Sequence, residues 1–412
     1  MKSMTALALV LASAQAAYAA GPRNESFIDQ IGANNSATIS QKNGNNSQGT
    51  FQAGKNNSVL TDQVSKLANG KNNSGNVQVG RGNTAATSQT NSPPNKNFTT
   101  ADFTNNSFSA QFGVKNNVNV GQEGGKNSQA TVQAGEKNDS EVAQTNKSVS
   151  PAAGPVVSGA NTAFTGQFGS KNTAVVSQTS DDGLGDAKQF ENGHGNASAS
   201  IQIGSKNNAL TQQSSVGGNG EGTNNASATF QIGRGNQVET TQGGNVAGAF
   251  GATPAEQAAN FTNASFVGQT GVGNVAKIDQ ENGTNTQAAF QAGEANRAIV
   301  NQTMQPLGTG SGSNNAVTAQ FGVDNRAKIN QSMANPLGSG SNNSLTTQIG
   351  GSNVVNATQS FGQQASAGTN TQVALQVGFG NSVSVTQTAN SVANASFAAQ
   401  FGSHNTATVT QK

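Results

Sequence analysis

Cysteine and tryptophan are missing from this chain altogether, and its one tyrosine, Tyr18, lies within the first nineteen residues. Disulfides therefore cannot hold the fold together. Charge is scarce as well: 10% of residues are Asp, Glu, Lys or Arg, and the formal net charge is +2. Such a chain has little to steer it toward nucleic acid or an anionic membrane, and low charge permits self-association. Beyond residue 19 no apolar run approaches the roughly 20 residues needed to span a bilayer. What remains is dominated by Gly, Asn, Gln, Ser and Thr, from which a conventional large apolar core cannot be built. Backbone hydrogen bonds and side-chain ladders must then carry most of the stability.

The opening stretch MKSMTALALVLASAQAAYA combines a lysine, an apolar run and Ala17-Tyr18-Ala19 before a cleavage point, and reads as a secretory signal peptide over residues 1–19. The mature chain is expected to be exported, with residues 20–23 as a short leader.

Polar composition alone suggests disorder, but self-comparison reverses that reading. An 18-position unit, Asn-x5-Gln-x-Gly-x-x-Asn-x5-Gln, begins at Asn24, Asn46, Asn72, Asn105, Asn127, Asn161, Asn196, Asn225, Asn263, Asn285, Asn314, Asn342, Asn370 and Asn394, and all fourteen copies keep all five residues. The Gln at position 7 is Gln30, Gln52, Gln78, Gln111, Gln133, Gln167, Gln202, Gln231, Gln269, Gln291, Gln320, Gln348, Gln376 and Gln400. The Gly at position 9 is Gly32, Gly54, Gly80, Gly113, Gly135, Gly169, Gly204, Gly233, Gly271, Gly293, Gly322, Gly350, Gly378 and Gly402. The second Asn, position 12, is Asn35, Asn57, Asn83, Asn116, Asn138, Asn172, Asn207, Asn236, Asn274, Asn296, Asn325, Asn353, Asn381 and Asn405. The last Gln, position 18, is Gln41, Gln63, Gln89, Gln122, Gln144, Gln178, Gln213, Gln242, Gln280, Gln302, Gln331, Gln359, Gln387 and Gln411.

Position 14 is Ala or Val in every copy except Ser140, and position 16 is Ile, Val or Thr in every copy except Ala357. Small and β-branched residues two apart indicate a strand. The first half alternates too, and Gly with two turn-forming residues joins the halves, so each unit reads as strand, tight turn, strand. Proline cannot donate to a ladder, and all eight (Pro22, Pro93, Pro94, Pro151, Pro155, Pro254, Pro306, Pro336) fall outside the fourteen units. Spacers run from four residues (42–45) to about twenty (243–262). Constant units with variable spacers predict an all-β fold: a single β-solenoid over residues 24–411, fourteen stacked rungs forming two parallel in-register sheets with loops between rungs.

The charged strand residues (Glu25, Asp29, Asp62, Asp139, Glu141, Glu239, Lys277, Asp279, Arg297, Arg326 and Lys328) all lie on the parity opposite the invariant Asn and Gln. Positions 1, 3, 5 and 7 of the first strand and 12, 14, 16 and 18 of the second therefore face inward. Buried amides are costly unless paired; stacking in register lets each one bond to its counterpart in the next rung, as in cross-β amide ladders. The invariant residues are thus structural. One unit is unstable alone, whereas a stack is not. Solenoids usually cover their end rungs with an atypical capping repeat. Here the units run from Asn24 to Gln411 without one, and uncapped ends are expected to join head to tail, since a non-closing heterologous contact generates a filament. The other reading has a spacer folding over the end, or frayed ends.

Five invariant positions in this spacing behind a signal peptide resemble the curlin repeat of bacterial curli fibre subunits, over Asn24 to Gln411. The resemblance implies an amyloid-like cross-β fibre, exported through an outer-membrane pore, started by a nucleator subunit at the cell surface, and serving biofilm matrix and adhesion. The chain departs from that family in carrying many more units and in having only Ala-Gly-Pro-Arg before the first, where curlins carry a targeting segment.

It departs also in placing large apolar residues at positions 4, 6 and 8, the outward parity, as at Phe108, Phe112, Phe164, Phe168, Phe397 and Phe401. Volumes trade between neighbours (Phe164 with Gly166, Phe266 with Gly268, Gly49 with Phe51, Ala228 with Phe230), which suggests contact with something. Such a stripe is a candidate lateral-contact surface, for the Phe-bearing segments 97–103 and 260–266 or for a second filament. The opposite parity of this strand would put the same residues in the core.

Catalytic, cofactor-binding and metal-binding residues are not expected. His194 and His404 have no partner at metal-ligand or triad spacing, and Asp181, Asp182 and Asp186 fall in one Gly-rich spacer without the recurrence of calcium-binding repeats. The Asn-x-Ser/Thr triplets, as at Asn35 and Asn57, are generated by the repeat itself. Lys55, Arg81, Lys115, Lys137, Lys171, Lys206 and Arg234 recur in the turns, as a weak basic ridge or, more simply, as gatekeepers against sideways aggregation. The alternative to a fibre subunit is a monomeric secreted solenoid, an adhesin or a binder of ice or carbohydrate; outward positions that mix Phe, Ala, Ser and charge disfavour it. A polysaccharide-cleaving enzyme would need clustered carboxylates that no spacer supplies.

Overall fold

A strand-turn-strand segment with amides along one face can bury that face only against a copy of itself. A computed structural model of the chain, describing residues 23–66, 70–92, 103–146, 160–181, 195–216, 223–244, 261–304, 312–333, 339–361, 367–389 and 393–412, has this arrangement. Its described residues form twenty-eight strands and no helix, from β1 (Asn24–Ala33) and β2 (Ser36–Lys42) to β27 (Ala393–Ser403) and β28 (Thr406–Gln411). Each consecutive pair of strands is one repeat, numbered here as rungs 1 to 14. Residues 1–19, expected to be a signal peptide, all eight prolines, His194, Asp182 and Asp186 lie outside the described residues.

Two compact units divide the chain, one containing rungs 1–6 and the other rungs 7–14. Within each, the first strands of successive rungs pair in parallel to make one sheet and the second strands make another. The pairing is in register: Asn24 stands opposite Asn46, Gln30 opposite Gln52, Gly32 opposite Gly54, and Gln41 opposite Gln63. Spacer length does not alter it. Asn46 Nδ2 meets Asn24 Oδ1 at 2.7 Å across 22 residues of chain, and Asn263 Nδ2 meets Asn225 Oδ1 at 2.9 Å across 38.

The turn between the sheets accounts for the invariant glycine. Gly113 has φ +116°, and a Cβ there would sit 2.1 Å from the Gly135 carbonyl oxygen of the next rung. Two residues on, the chain is again left-handed, at Lys115 (φ 55°), Lys137 (φ 56°) and Lys171 (φ 56°) among others. The turns stack by backbone bonds, Lys115 N–H to Arg81 O and Lys137 N–H to Val114 O, each 2.9 Å.

The interior lies between the two sheets. Its centre is narrow and aliphatic in the second unit, with Val238, Val267, Ile278, Val300 and Ile329 fully enclosed. A further column, two residues past the last invariant Gln, holds Met304, Met333, Phe361 and Ala389. Glycines two residues before the invariant Asn make room for it: a Cβ at Gly312 would meet Met333 Sδ at 2.5 Å, and one at Gly340 would meet the Phe361 ring at 3.0 Å. In the first unit the corresponding position is polar, as at Ser65 and Asn91, both buried.

Gly113→Ala should cost at least about 2 kcal/mol through forced left-handed geometry and turn collision. Gly121→Ala, on an open outward position where an added Cβ meets nothing within 4 Å, should change stability by less than about 0.5 kcal/mol. Urea titration with hydrogen exchange at rungs 4 and 5 distinguishes them; equal effects would contradict the stacked-turn account.

Candidate functional site

Alternation turns the four invariant amides of every rung inward at the corners of the cross-section, where nearly all are buried. Position 7 forms one ladder: Gln52 Nε2 donates to Gln78 Oε1 at 2.8 Å, and Gln78 Nε2 to Gln111 Oε1 at 2.7 Å. Position 18 forms a second, with Gln63 Nε2 donating to Gln89 Oε1 at 2.7 Å and Gln302 Nε2 to Gln331 Oε1 at 2.8 Å. Both Gln ladders donate toward the following rung. The Asn ladders run the other way, Asn72 Nδ2 donating back to Asn46 Oδ1 at 2.8 Å and Asn83 Nδ2 back to Asn57 Oδ1 at 3.2 Å.

The direction of each ladder is set by backbone groups. Gln52 Nε2 also donates to the Ser36 carbonyl at 3.0 Å, and Gln63 Nε2 to that of Ser47 at 3.0 Å; neither amide can be reversed without losing those bonds. Asn57 Oδ1 accepts the backbone N–H of Asn83 at 3.1 Å, while Asn83 Nδ2 also donates to its own rung's Val79 carbonyl and the next rung's Gly113 carbonyl, at 3.3 and 3.1 Å. The position-12 asparagine therefore ties three consecutive rungs together.

Every rung thus offers Gln donors and Asn acceptors on its forward edge, and Gln acceptors and Asn donors on its backward edge. In rung 14, Gln411 accepts from Gln387 at 2.7 Å and donates to its own rung's Ala395 carbonyl at 2.9 Å. Asn405 donates back to Asn381 Oδ1 at 3.0 Å, leaving its own Oδ1 on the forward edge. In rung 1, Gln30 donates to Gln52 at 2.5 Å and Gln41 to Gln63 at 2.8 Å, leaving their Oε1 atoms on the backward edge.

The outer faces of the two sheets differ. In rungs 2–14 the outward positions 2, 4, 6 and 8 of the first strand are uncharged, with charge only at strand ends such as Lys71, Lys126 and Glu294, whereas the second strand carries Asp62, Asp139, Glu141, Glu239, Lys277, Asp279, Arg297, Arg326 and Lys328 outward. Phe164, Phe168, Phe397 and Phe401 stand exposed on the first sheet. Phe108 and Phe112 are partly covered by neighbouring rungs, where Phe51, Val77 and Ala110 form a patch closed on itself. Phe103 does not rest on this face; it is buried at 3% exposure. Residues 261–266 belong to the first strand of rung 9, Phe261–Val272.

On the second sheet Lys277 pairs with Glu239 at 2.8 Å, which raises the lysine's pKa through that hydrogen bond and the charge behind it. Desolvation pushes the Asp279 carboxyl above its ordinary range despite Lys277 nearby. At the turns Glu136 is held below its usual value by a hydrogen bond from Lys137, with Lys171 and Lys115 adding to the effect. Among the described residues no three His, Cys, Asp or Glu side chains gather as a metal site, and no helix is long and apolar enough to cross a membrane. No protein-family model matches the chain, and no curated protein matches it.

The Met304–Met333–Phe361 column has a sequence signal: apolar residues keeping inward parity one step past the final Gln. Reading the unit as ending at that Gln hides it.

Gln302→Leu removes the bonds to Gln280 and Gln331 inside a sealed stack. It should cost about 2–3 kcal/mol, seen as faster amide exchange in rungs 9 to 11; unchanged protection would remove the ladder from the account of stability. Asp279 has a raised folded pKa, so its stabilising contribution is complete below the unfolded carboxylate pKa and is lost as pH rises through the folded value. Asp279→Asn, which aligns with Asn301 in the next rung and so extends the outer pair Asn301–Asn330, should raise the melting temperature at pH 7. The gain should vanish below the ordinary Asp range; a gain constant with pH would contradict desolvation as its cause.

Proposed function

We propose that this chain is the structural subunit of a secreted, extracellular amyloid-like fibre of curli type, in which copies join head to tail as rungs join within one copy. The carrying observation is the opposed direction of the Gln and Asn ladders. The forward edge of rung 14 meets the backward edge of rung 1 with donors against acceptors at all four corners and with strands parallel and in register, as they are within the chain, while contact between two like ends would set the strands antiparallel and put Gln columns against Asn columns. The joint adds two parallel strand pairings, on the order of ten backbone hydrogen bonds at about 1 kcal/mol each, against an association cost of roughly 4–15 kcal/mol.

The resemblance to curlin repeats and the signal peptide support the extracellular setting. They also supply the expected partners: further copies of the chain, a nucleator subunit and an outer-membrane export pore. The expected role is biofilm matrix, adhesion and aggregation, with no catalysis, cofactor or metal. A face for ice or carbohydrate would need regular outward ranks, and outward residues change from rung to rung, as Phe266, Ala288, Val317 and Leu345 do at one position.

Residues 20–412, incubated without denaturant, should form unbranched filaments with a meridional reflection near about 4.8 Å; soluble particles that never elongate would sink this reading. Gln411→Glu keeps the acceptor that Gln387 uses but replaces the forward donor with a charge. Seeded elongation should slow about tenfold or more, one lost bond plus a desolvated charge, with the chain's own melting temperature little changed. Elongation at the wild-type rate would remove the Gln ladder from the joint.

A further inference from the structure

The uncharged face of the first sheet is sculpted where it is most exposed. In rungs 11, 12 and 14, Val317, Leu345 and Phe397 make one apolar ridge and Phe321, Ile349 and Phe401 another, all well exposed. Ala319, Thr347 and Ala399 line the trough between them, and Leu375 of rung 13 interrupts it. In rung 9 the space over Gly268 is filled by the rings of Phe266 and of Phe290 in rung 10, whose centroids lie 5.2 Å apart and tilted; a Cβ at Gly268 would touch both rings, at 3.3 and 3.4 Å. The ridges are four residues apart along the strand, about 13 Å, so a copy of this face displaced by two residues seats its ridge in the trough.

We infer that in the assembled fibre this face is covered by the same face of a second filament of this chain, a pairing that rests on the head-to-tail reading. Three observations select a second copy as the occupant. The eight rungs of the second unit offer about 38 Å along the stack and about 20 Å across it, on the order of 800 Å², one partner's share of a standard stable interface. At least one large apolar residue stands at position 4, 6 or 8 of every rung of this unit, a spacing of about 4.8 Å that another parallel in-register stack matches along its whole length. The second sheet, carrying Glu239, Lys277, Asp279, Arg297, Arg326 and Lys328 outward in the same unit, would bury charge if it packed instead. Apolar inside and charged outside is the arrangement of a two-sheet sandwich, with facing sheets about 10 Å apart.

The test is mass per unit length of filaments of residues 20–412 by scanning transmission electron microscopy, with Leu345→Lys on the uncharged face and Asn356→Lys on the opposite face. The wild type and Asn356→Lys should show twice the mass of one rung per rung spacing. Leu345→Lys should halve it while keeping elongation and the near-4.8 Å reflection. Wild-type filaments of single mass, or Leu345→Lys filaments that stay paired, overturn the pairing and leave the head-to-tail polymer standing; a spacer or an unrelated protein would then be the cover. If no filament forms, the polymer reading fails by itself, and sedimentation decides the face: a soluble dimer split by Leu345→Lys supports it, and a monomer overturns it.

Discussion

The structure depends on one interaction, an amide side chain bonded to the same amide one rung away. An amide enclosed without partners costs several times what its hydrogen bond returns in water. The chain places four in every rung, so rungs are stable only in company. Each amide is also held by a backbone carbonyl or N–H, as Gln52 is by Ser36 and Asn83 by Val79 and Gly113. The ladder therefore locks register and strand pairing together. A slip of one residue would expose all four amides at once and turn the outward charges in.

Other features follow from that lock. Invariant glycine is required because turns stack at the rung spacing and the carbonyl of the next turn occupies the place of a Cβ, as Gly135 does over Gly113. Side chains between the corners need only fill a narrow interior, so Ala, Val, Ile, Ser and Thr interchange there, and the aliphatic core of the second unit is a variation on a polar theme. Spacers contribute nothing to register, and Asn225 and Asn263 pair across 38 residues as well as Asn24 and Asn46 do across 22.

Much of this was legible in the sequence. Strand-turn-strand units, parallel in-register sheets, inward amides and outward charges follow from a period of 18 and a parity of two, because a repeat multiplies a weak local signal fourteen times. Three things were not legible. The opposed directions of the Gln and Asn ladders depend on which backbone group each amide reaches, and Gln and Asn differ there by one methylene. The Met304–Met333–Phe361 column lies outside the invariant unit, so its inward parity shows only when the second strand is carried past the final Gln. The partial closure of the first-sheet face around Phe51, Val77 and Ala110 arises from packing between rungs of unlike sequence, while Phe397 and Phe401, with the same spacing as Phe108 and Phe112, stay exposed because their strand is the last of its sheet.

Opposed ladders also bear on how long a stack can become. A column of aligned amides is a row of head-to-tail dipoles, and if all four columns pointed one way their partial charges would gather at the two ends, as they do in a helix. Two Gln columns donating forward and two Asn columns donating backward oppose one another within each rung, and sheet backbones add little dipole of their own. Polarisation still strengthens each column internally, but adding rungs does not build end charge in proportion to length. The edge seen by an arriving rung is then the same after the first rung as after many, so this scaffold places no electrostatic limit on its own extension.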